Sequence, residues 1–189
     1  MRLGKISYFG DFVACPATIL FISAEVAPRH GTAAVAAWLA LMAVGVFEWT
    51  LVEYLVHRWV YHRYWPFKHY HDMHHAEPEA QIGAPSFISI ALILGFLGAP
   101  LLPFGLFVAG AVSCGLLLGY TAYVLVHHAV HHWRPKVGSL FYGLRRLHAR
   151  HHYARTPINF GVTTSLWDHV FGTLLEEPRR AVRRTAPHT

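Results

Sequence analysis

Histidine is the residue type with which this sequence can do chemistry. Of its 16 copies, 14 fall between His57 and His169, in groups rather than scattered. His57 and His62 form H-x4-H, and His71, His74 and His75 form H-x2-H-H. His127 and His131 form H-x3-H, repeated one residue on by His128 and His132, and His148, His151 and His152 form a second H-x2-H-H. Positions i, i+3 and i+4 share one face of a helix, so each H-x2-H-H triplet can aim up to three imidazoles at one point. The H-x4-H pair differs: at about 100° per residue its members stand about 140° apart, which serves two metals or marks a locally unwound turn. Imidazole suits Zn, Cu, Fe and Ni alike, but a single tetrahedral zinc takes four ligands, so ten candidates in four helical groups, counting one of the two H-x3-H pairs, point to two metals.

Haem needs two axial ligands and leaves this excess unexplained. A metal transporter calls for ionisable residues through the bilayer midplane, which the apolar runs described next do not carry. The sequence has no serine or cysteine nucleophile motif, no phosphate loop and no G-x-G-x-x-G fingerprint. The chemistry therefore falls to the metals, and a redox pair next to lipid implies oxygen chemistry on a hydrocarbon.

The elements that must position these rings are apolar. The chain has 189 residues, 54% of them apolar and 14% charged, where a soluble domain carries roughly a quarter charged residues. Its length fits one domain, 1–189. Residues 80–126 contain no Asp, Glu, Lys, Arg or His, more than twice the roughly 20 residues that a helix needs to cross a bilayer, so two spans with a turn near 100–103 are expected. Residues 31–47 form another uncharged run, which continues to 56 if Glu48 and Glu53 face inward. A weaker segment at about 6–27, interrupted by Asp11, Pro16 and Glu25, reads as an anchor rather than a secretory signal. The expected fold is an all-α integral membrane protein of about four transmembrane helices with a helical, histidine-rich cytoplasmic cap.

The formal charge of +6 would make nucleic acid a candidate partner of a soluble protein, but here the charge follows the membrane. With the N-terminus inside, four crossings put every Lys and Arg except Arg29 on the cytoplasmic side, together with the 14 grouped histidines. Trp59, Trp65, Trp133 and Trp167 cluster on that side as well, where amphipathic rings prefer to sit. The expected partner is membrane lipid, not nucleic acid. Cys15 and Cys114 both fall in apolar segments and argue neither for a disulfide nor for a metal site. The Gly-rich stretch 110–119, with Tyr120 and Tyr123, reads as a helix-packing surface or as an access groove for an acyl tail.

The segments Trp49-Thr-Leu-Val-Glu53-Tyr-Leu-Val-His57-Arg-Trp-Val-Tyr-His62, His71-Asp-Met-His74-His75, Tyr123-Val-Leu-Val-His127-His-Ala-Val-His131-His132 and His148-Ala-Arg-His151-His152 resemble the histidine boxes of the fatty acid hydroxylase and sterol desaturase superfamily. Asn159-Phe-Gly161-Val-Thr and Trp167-Asp168-His-Val-Phe171-Gly172-Thr173 resemble its C-terminal signature. The similarity is clearest over 49–175, with 176–189 a basic tail, and is greatest to the fatty acid 2-hydroxylases. The segment between His62 and His71 is shorter than in the eukaryotic 2-hydroxylases, and Ala76-Glu-Pro-Glu79 departs from their usual continuation.

The resemblance implies a membrane-bound non-haem di-iron monooxygenase of lipid biosynthesis, an oxidoreductase that uses O2 and two electrons to hydroxylate an acyl chain. Sterol desaturases and carotenoid hydroxylases, with the same metal centre, give the alternative substrate. Carried over residue by residue, the ligands of two iron ions (Fe2+/Fe3+) are His57, His62, His71, His74, His75, His127, His131, His148, His151 and His152. Electrons are expected from an external cytochrome b-type or ferredoxin-type donor. Glu53, four residues before His57, is expected to accept that ring's second N–H or to pair with a nearby Arg. Asp168 is expected to support the metal ligands or to cap the short helix before Phe171, and Asp72 and Glu77 are similar candidates. His69, His128, His132 and His169 are expected to work outside the ligand set, and Arg179, Arg180, Arg183 and Arg184 to touch anionic lipid or an acidic donor.

Overall fold

A computed structural model of the chain describes residues 1–175; the basic tail with Arg179, Arg180, Arg183 and Arg184 lies outside the described residues. The described residues are helical without a named strand, as the apolar runs require. Helix α1 (Lys5–Phe9) leads into α2 (Asp11–Val26), α3 (Val35–Leu55) is continued by a π-helical segment Val56–Tyr61, and α4 (Phe67–Ala76) carries the first H-x2-H-H. Helix α5 (Ser86–Leu92) runs through a π segment, Ile93–Gly98, into a 3-10 turn, Ala99–Phe104. Helix α6 (Leu106–His132) returns, and α7 (Leu140–Tyr153) and α8 (Leu166–Val170) complete the described chain.

Four stretches are long and apolar enough to cross a membrane: Lys5–His30, Thr32–Tyr61, Ser86–Phe104 and Leu106–His132. The weak first segment thus forms a helix of spanning length despite Pro16, and the reversal between the third and fourth stretches falls where Pro100 and Pro103 withhold backbone donors and Gly105 adopts φ 97°. Leu20, Phe21, Leu39, Phe47, Phe87 and Phe96 stay exposed, which acyl chains tolerate and water does not. Helix α6 is the centre of the bundle: over half of its apolar window (56%) is buried, against 17% for each of the other three.

Without a hydrophobic force between helices in lipid, close contact of backbones must hold such a bundle. Helices α3 and α6 achieve it with paired glycines. A Cβ on Gly115 would lie 2.1 Å from the Met42 carbonyl oxygen, and one on Gly45 would lie 2.2 Å from that of Val112. The small residues of 110–119 therefore pack helices. Tyr120 belongs to the same packing: its hydroxyl donates to Asp11 Oδ2 at 2.8 Å and accepts from Ser89 Oγ at 2.8 Å, tying α6 to α2 and α5.

The N-terminus fixes which ends of the helices share a side. Leu3 N donates to the Gln81 carbonyl at 2.8 Å, Gly83 N donates to the Met1 carbonyl at 3.0 Å, and Arg2 pairs with Glu77. Glu77 lies two residues after His75, so the N-terminus and the histidine-bearing ends of the helices lie on one face of the bundle. Replacing Gly115 by Ala is expected to cost about 1–3 kcal/mol, since backbone cannot yield as a side chain does. Thermal unfolding in detergent should show a clear drop for Gly115→Ala and little change for Gly95→Ala, where a Cβ meets nothing within 4 Å.

Candidate metal centre

The grouped histidines converge at the ends of α3, α4, α6 and α7, where they form two nests. In the first, ligand atoms of His57, His62, His71, His75 and His151 all lie within 4.8 Å of one another. Its Nε2 atoms approach closely: His57 to His71 at 3.2 Å, His71 to His62 at 3.1 Å, His75 to His71 at 3.0 Å, and His151 to His75 at 3.1 Å and to His62 at 3.3 Å. In the second nest His74, His131, His148 and His152 meet the same mutual limit. His131 and His152 Nε2 stand 2.9 and 3.1 Å from that of His148, and His127 Nε2 joins from the side, 3.0 Å from that of His74. The nests share a wall, with the rings of His75 and His152 stacked at 4.2 Å.

The H-x4-H pair takes the second of its two alternatives, the locally unwound turn, and does not point in two directions, because Val56–Tyr61 is wound as a π-helix. Its i→i+5 bonding brings residues five apart nearly into line, and the rings of His57 and His62 stack at 5.5 Å with 18° between their planes. Nor does each H-x2-H-H triplet aim at one point. On α4, His71 and His75 enter the first nest and His74 the second; on α7, His148 and His152 enter the second and His151 the first. Each i, i+4 pair stays with its own hairpin and the i+3 ring crosses over, since i+3 lies to one side of the i, i+4 row.

Residues 158–163 hold the first nest from outside. His57 Nδ1 donates to the Phe160 carbonyl at 2.5 Å and His151 Nδ1 to the Ile158 carbonyl at 2.7 Å. Asn159 between them adopts φ 53°, a left-handed conformation that Asn tolerates, and its side-chain oxygen accepts from Leu175 N at 2.8 Å. Gly161 leaves no room for a side chain, as its Cβ would fall 2.0 Å from the Thr164 carbonyl oxygen.

The carboxylates act on this loop, which overturns both readings of Glu53. It neither touches His57 nor pairs with an Arg. Buried to 4% exposure, it accepts from Val162 N at 2.6 Å, Thr163 N at 2.9 Å and Thr163 Oγ1 at 2.6 Å. Asp168, fully buried, is not the cap of α8. It accepts from Phe160 N at 2.8 Å, Gly161 N at 2.8 Å and Thr173 Oγ1 at 2.7 Å. Asp72 and Glu77 are engaged elsewhere, in exposed pairs with Lys68 and Arg2. His69 and His169 are exposed, while His128 stacks on His132 at 4.3 Å and meets the Tyr8 hydroxyl at 3.2 Å, apart from both nests.

The donor set fits a pair of metal ions. A ring whose Nδ1–H is given to a carbonyl presents a bare lone pair at Nε2, so His57 and His151 bring lone pairs, not protons, to the middle of the first nest. Metal–imidazole bonds of about 2.1 Å put nitrogens at right angles about 3.0 Å apart, close to the spacings within each nest.

Residues 42–173 match the family model described as fatty acid hydroxylase. The chain belongs to the fatty acid hydroxylase family. It is 35% identical over 150 residues to a fatty acid 2-hydroxylase of Homo sapiens, covering 72% of this chain and 40% of that one. It is 36% identical to a dihydroceramide fatty acyl 2-hydroxylase of Arabidopsis thaliana (71% and 60% covered) and 36% identical to a ceramide very long chain fatty acid hydroxylase of Saccharomyces cerevisiae (71% and 38% covered). The chain thus spans about 40% of the length of the animal relatives. Among solved structures it is similar to the hydroxylase domain visible in full-length scs7p, with a TM-score of 0.77 and 27% identity over 90% of this chain and 67% of that one. A protein of this family with four membrane-spanning stretches is a membrane protein, and its matches are to lipid hydroxylases.

Outside the spans, the family's histidine groups sit where protonation is costly. Burial first, then the crowding of other imidazoles, lowers His62 to about 4, His74 to about 3 and His152 to about 2. Burial likewise lowers His151 to about 3, against the pull of the Ile158 carbonyl. His71, His75 and His148 are lowered for the same first reason. Neutral imidazole is the form that binds metal. Each of these groups binds fewer protons folded than unfolded, where histidine titrates near 6.5, so stability rises with pH. The metal-free protein should keep this contribution above about pH 6.5 and lose it progressively below, down toward the folded values of 4 to 3 for His62, His74 and His151. A thermal midpoint in detergent that is unchanged between pH 7.5 and 5 would contradict this.

Proposed function

We propose that this chain is a membrane-bound, non-haem di-iron oxidoreductase that uses O2 to hydroxylate a lipid acyl chain at the carbon next to its carbonyl. The observation that carries the reading is the pair of imidazole nests with Nε2 atoms about 3 Å apart. The ligands are His57, His62, His71, His75 and His151 for one iron and His74, His127, His131, His148 and His152 for the other. Relatives named as fatty acid 2-hydroxylases and ceramide fatty acyl hydroxylases support the substrate class and the position attacked. Iron held there supplies O2 activation, the whole reaction placing one oxygen atom in a C–H bond and releasing the other as water at the expense of two electrons and two protons.

The rest is done by the chain. Neutral, pre-aimed imidazoles keep the centre from charging up before metal enters. A cavity of about 500 Å3, walled by His131, His148 and His152 with Val130, Arg145 and Tyr153, opens on the second nest and offers room for the reacting end of a lipid. The apolar flanks of the bundle let an acyl tail remain in the bilayer meanwhile. The bias of Lys and Arg supports a cytoplasmic histidine face, where a separate cytochrome b-type or ferredoxin-type donor delivers electrons.

Purified protein should carry two irons per chain, and His74→Ala and His151→Ala should each lower that number, measured by metal analysis. Lipid profiling of cells with and without the protein should show a change in 2-hydroxylated acyl chains. A change confined to sterols or carotenoids would transfer the same chemistry to a ring substrate, and metal flux into vesicles without O2 consumption would replace the enzyme by a transporter.

A further inference from the structure

The two nests have like ligands but unlike support. In the first, two of five rings are locked from behind by Phe160 and Ile158 carbonyls, and the loop carrying those carbonyls is clamped by two buried carboxylates. In the second, the Nδ1 atoms of His148 and His152 are buried without a protein partner among the described residues. Those two rings also wall a cavity of about 500 Å3, whereas the cavity reaching His62, His75 and His151, which His152 borders as well, is about 220 Å3.

We propose that the nests bind metal unequally: the nest of His57, His62, His71, His75 and His151 fills first and releases its ion last, and Glu53 and Asp168 are the positioning residues that create the difference. The inference rests on the metal-centre reading above. A ring whose Nδ1–H is fixed to a carbonyl has its tautomer and direction set before the ion arrives, and its Nε2 is a stronger donor. The carbonyls are fixed only while their loop is. Asp168 takes the N–H groups of Phe160 and Gly161, and Glu53 those of Val162 and Thr163, so four successive amides close on two carboxylates. Both oxygens of each carboxylate act as acceptors. An Asn or Gln there must turn an NH2 group toward a donor and let part of the loop go. His148 and His152 have no such backing, and must be ordered by the ion itself.

The test is titration of Co2+ into the full chain, metal-free in detergent, followed by visible absorption and by metal analysis after equilibrium dialysis. Two phases are expected, at least about tenfold apart. His57→Ala should remove the tighter phase and His152→Ala the weaker. Glu53→Gln and Asp168→Asn should weaken the tighter phase by about 10–100-fold, the usual effect of losing a group that orients a ligand, and leave the weaker phase in place. Thr163→Val, which removes only the hydroxyl contact to Glu53, should weaken the tighter phase by less and keeps the test decisive if a carboxamide variant does not fold. Two ions bound with equal affinity, a tighter phase lost in His152→Ala, or both phases weakened alike by the carboxamides would overturn the proposal. A parent chain that takes up no Co2+ would instead overturn the metal-centre reading on which it stands.

Discussion

Ten imidazoles with nitrogens crowded to about 3 Å cannot all be protonated and cannot satisfy one another by hydrogen bonds alone. A neutral ring has one N–H to give, and His57 and His151 give theirs outward to backbone carbonyls. The arrangement is coherent for rings that stay uncharged and face a cation, and the rest of the architecture follows from holding them so. Burial keeps them neutral, and helix geometry deals them into two nests. The π-helical turn at Val56–Tyr61 is part of that dealing: an α-helical turn would have sent His57 and His62 in different directions.

The most polar buried feature apart from the histidines is the carboxylate clamp on 158–163. Two acids with little exposure would be costly in the absence of partners, and each is instead saturated by backbone N–H groups and a threonine hydroxyl. Glu53 sits on a membrane helix and Asp168 on the short α8. Together they fasten the C-terminal segment to the bundle, with help from Trp167 Nε1, which donates to Thr50 Oγ1 at 2.9 Å, and from the Tyr54 hydroxyl at 3.0 Å from Thr173 Oγ1. The C-terminal signature is in this sense a mechanical part of the histidine site, although it contributes no ring to it.

The bundle serves the same end. Glycines at 45 and 115 bring α3 and α6 into backbone contact, and these are the two helices whose ends carry His57 and His62, and His127 and His131. Their close parallel course sets the distance between the paired groups, while α4 and α7, each bearing one H-x2-H-H, pack against those ends and exchange their central rings.

From the sequence alone come the four apolar stretches, the side on which charge and histidine accumulate, and the identity of the rings that could meet, because hydropathy and helical spacing are local properties written residue by residue. The partition of the rings was not legible. It depends on the π-turn, which the H-x4-H spacing left open as one of two alternatives, and on where α4 and α7 pack against the bundle ends. The carboxylates illustrate the same limit. Glu53 is one turn from His57 along the chain, so spacing suggested a direct contact, yet its partners are residues 162 and 163, more than a hundred positions away. Asp168 read as a possible cap of the short helix before Phe171, but it lies inside α8, behind the N-cap Ser165, and turns inward to Phe160 and Gly161. Only the folded chain decides such pairings, since a buried carboxylate goes to whichever unpaired backbone donors the packing brings within reach.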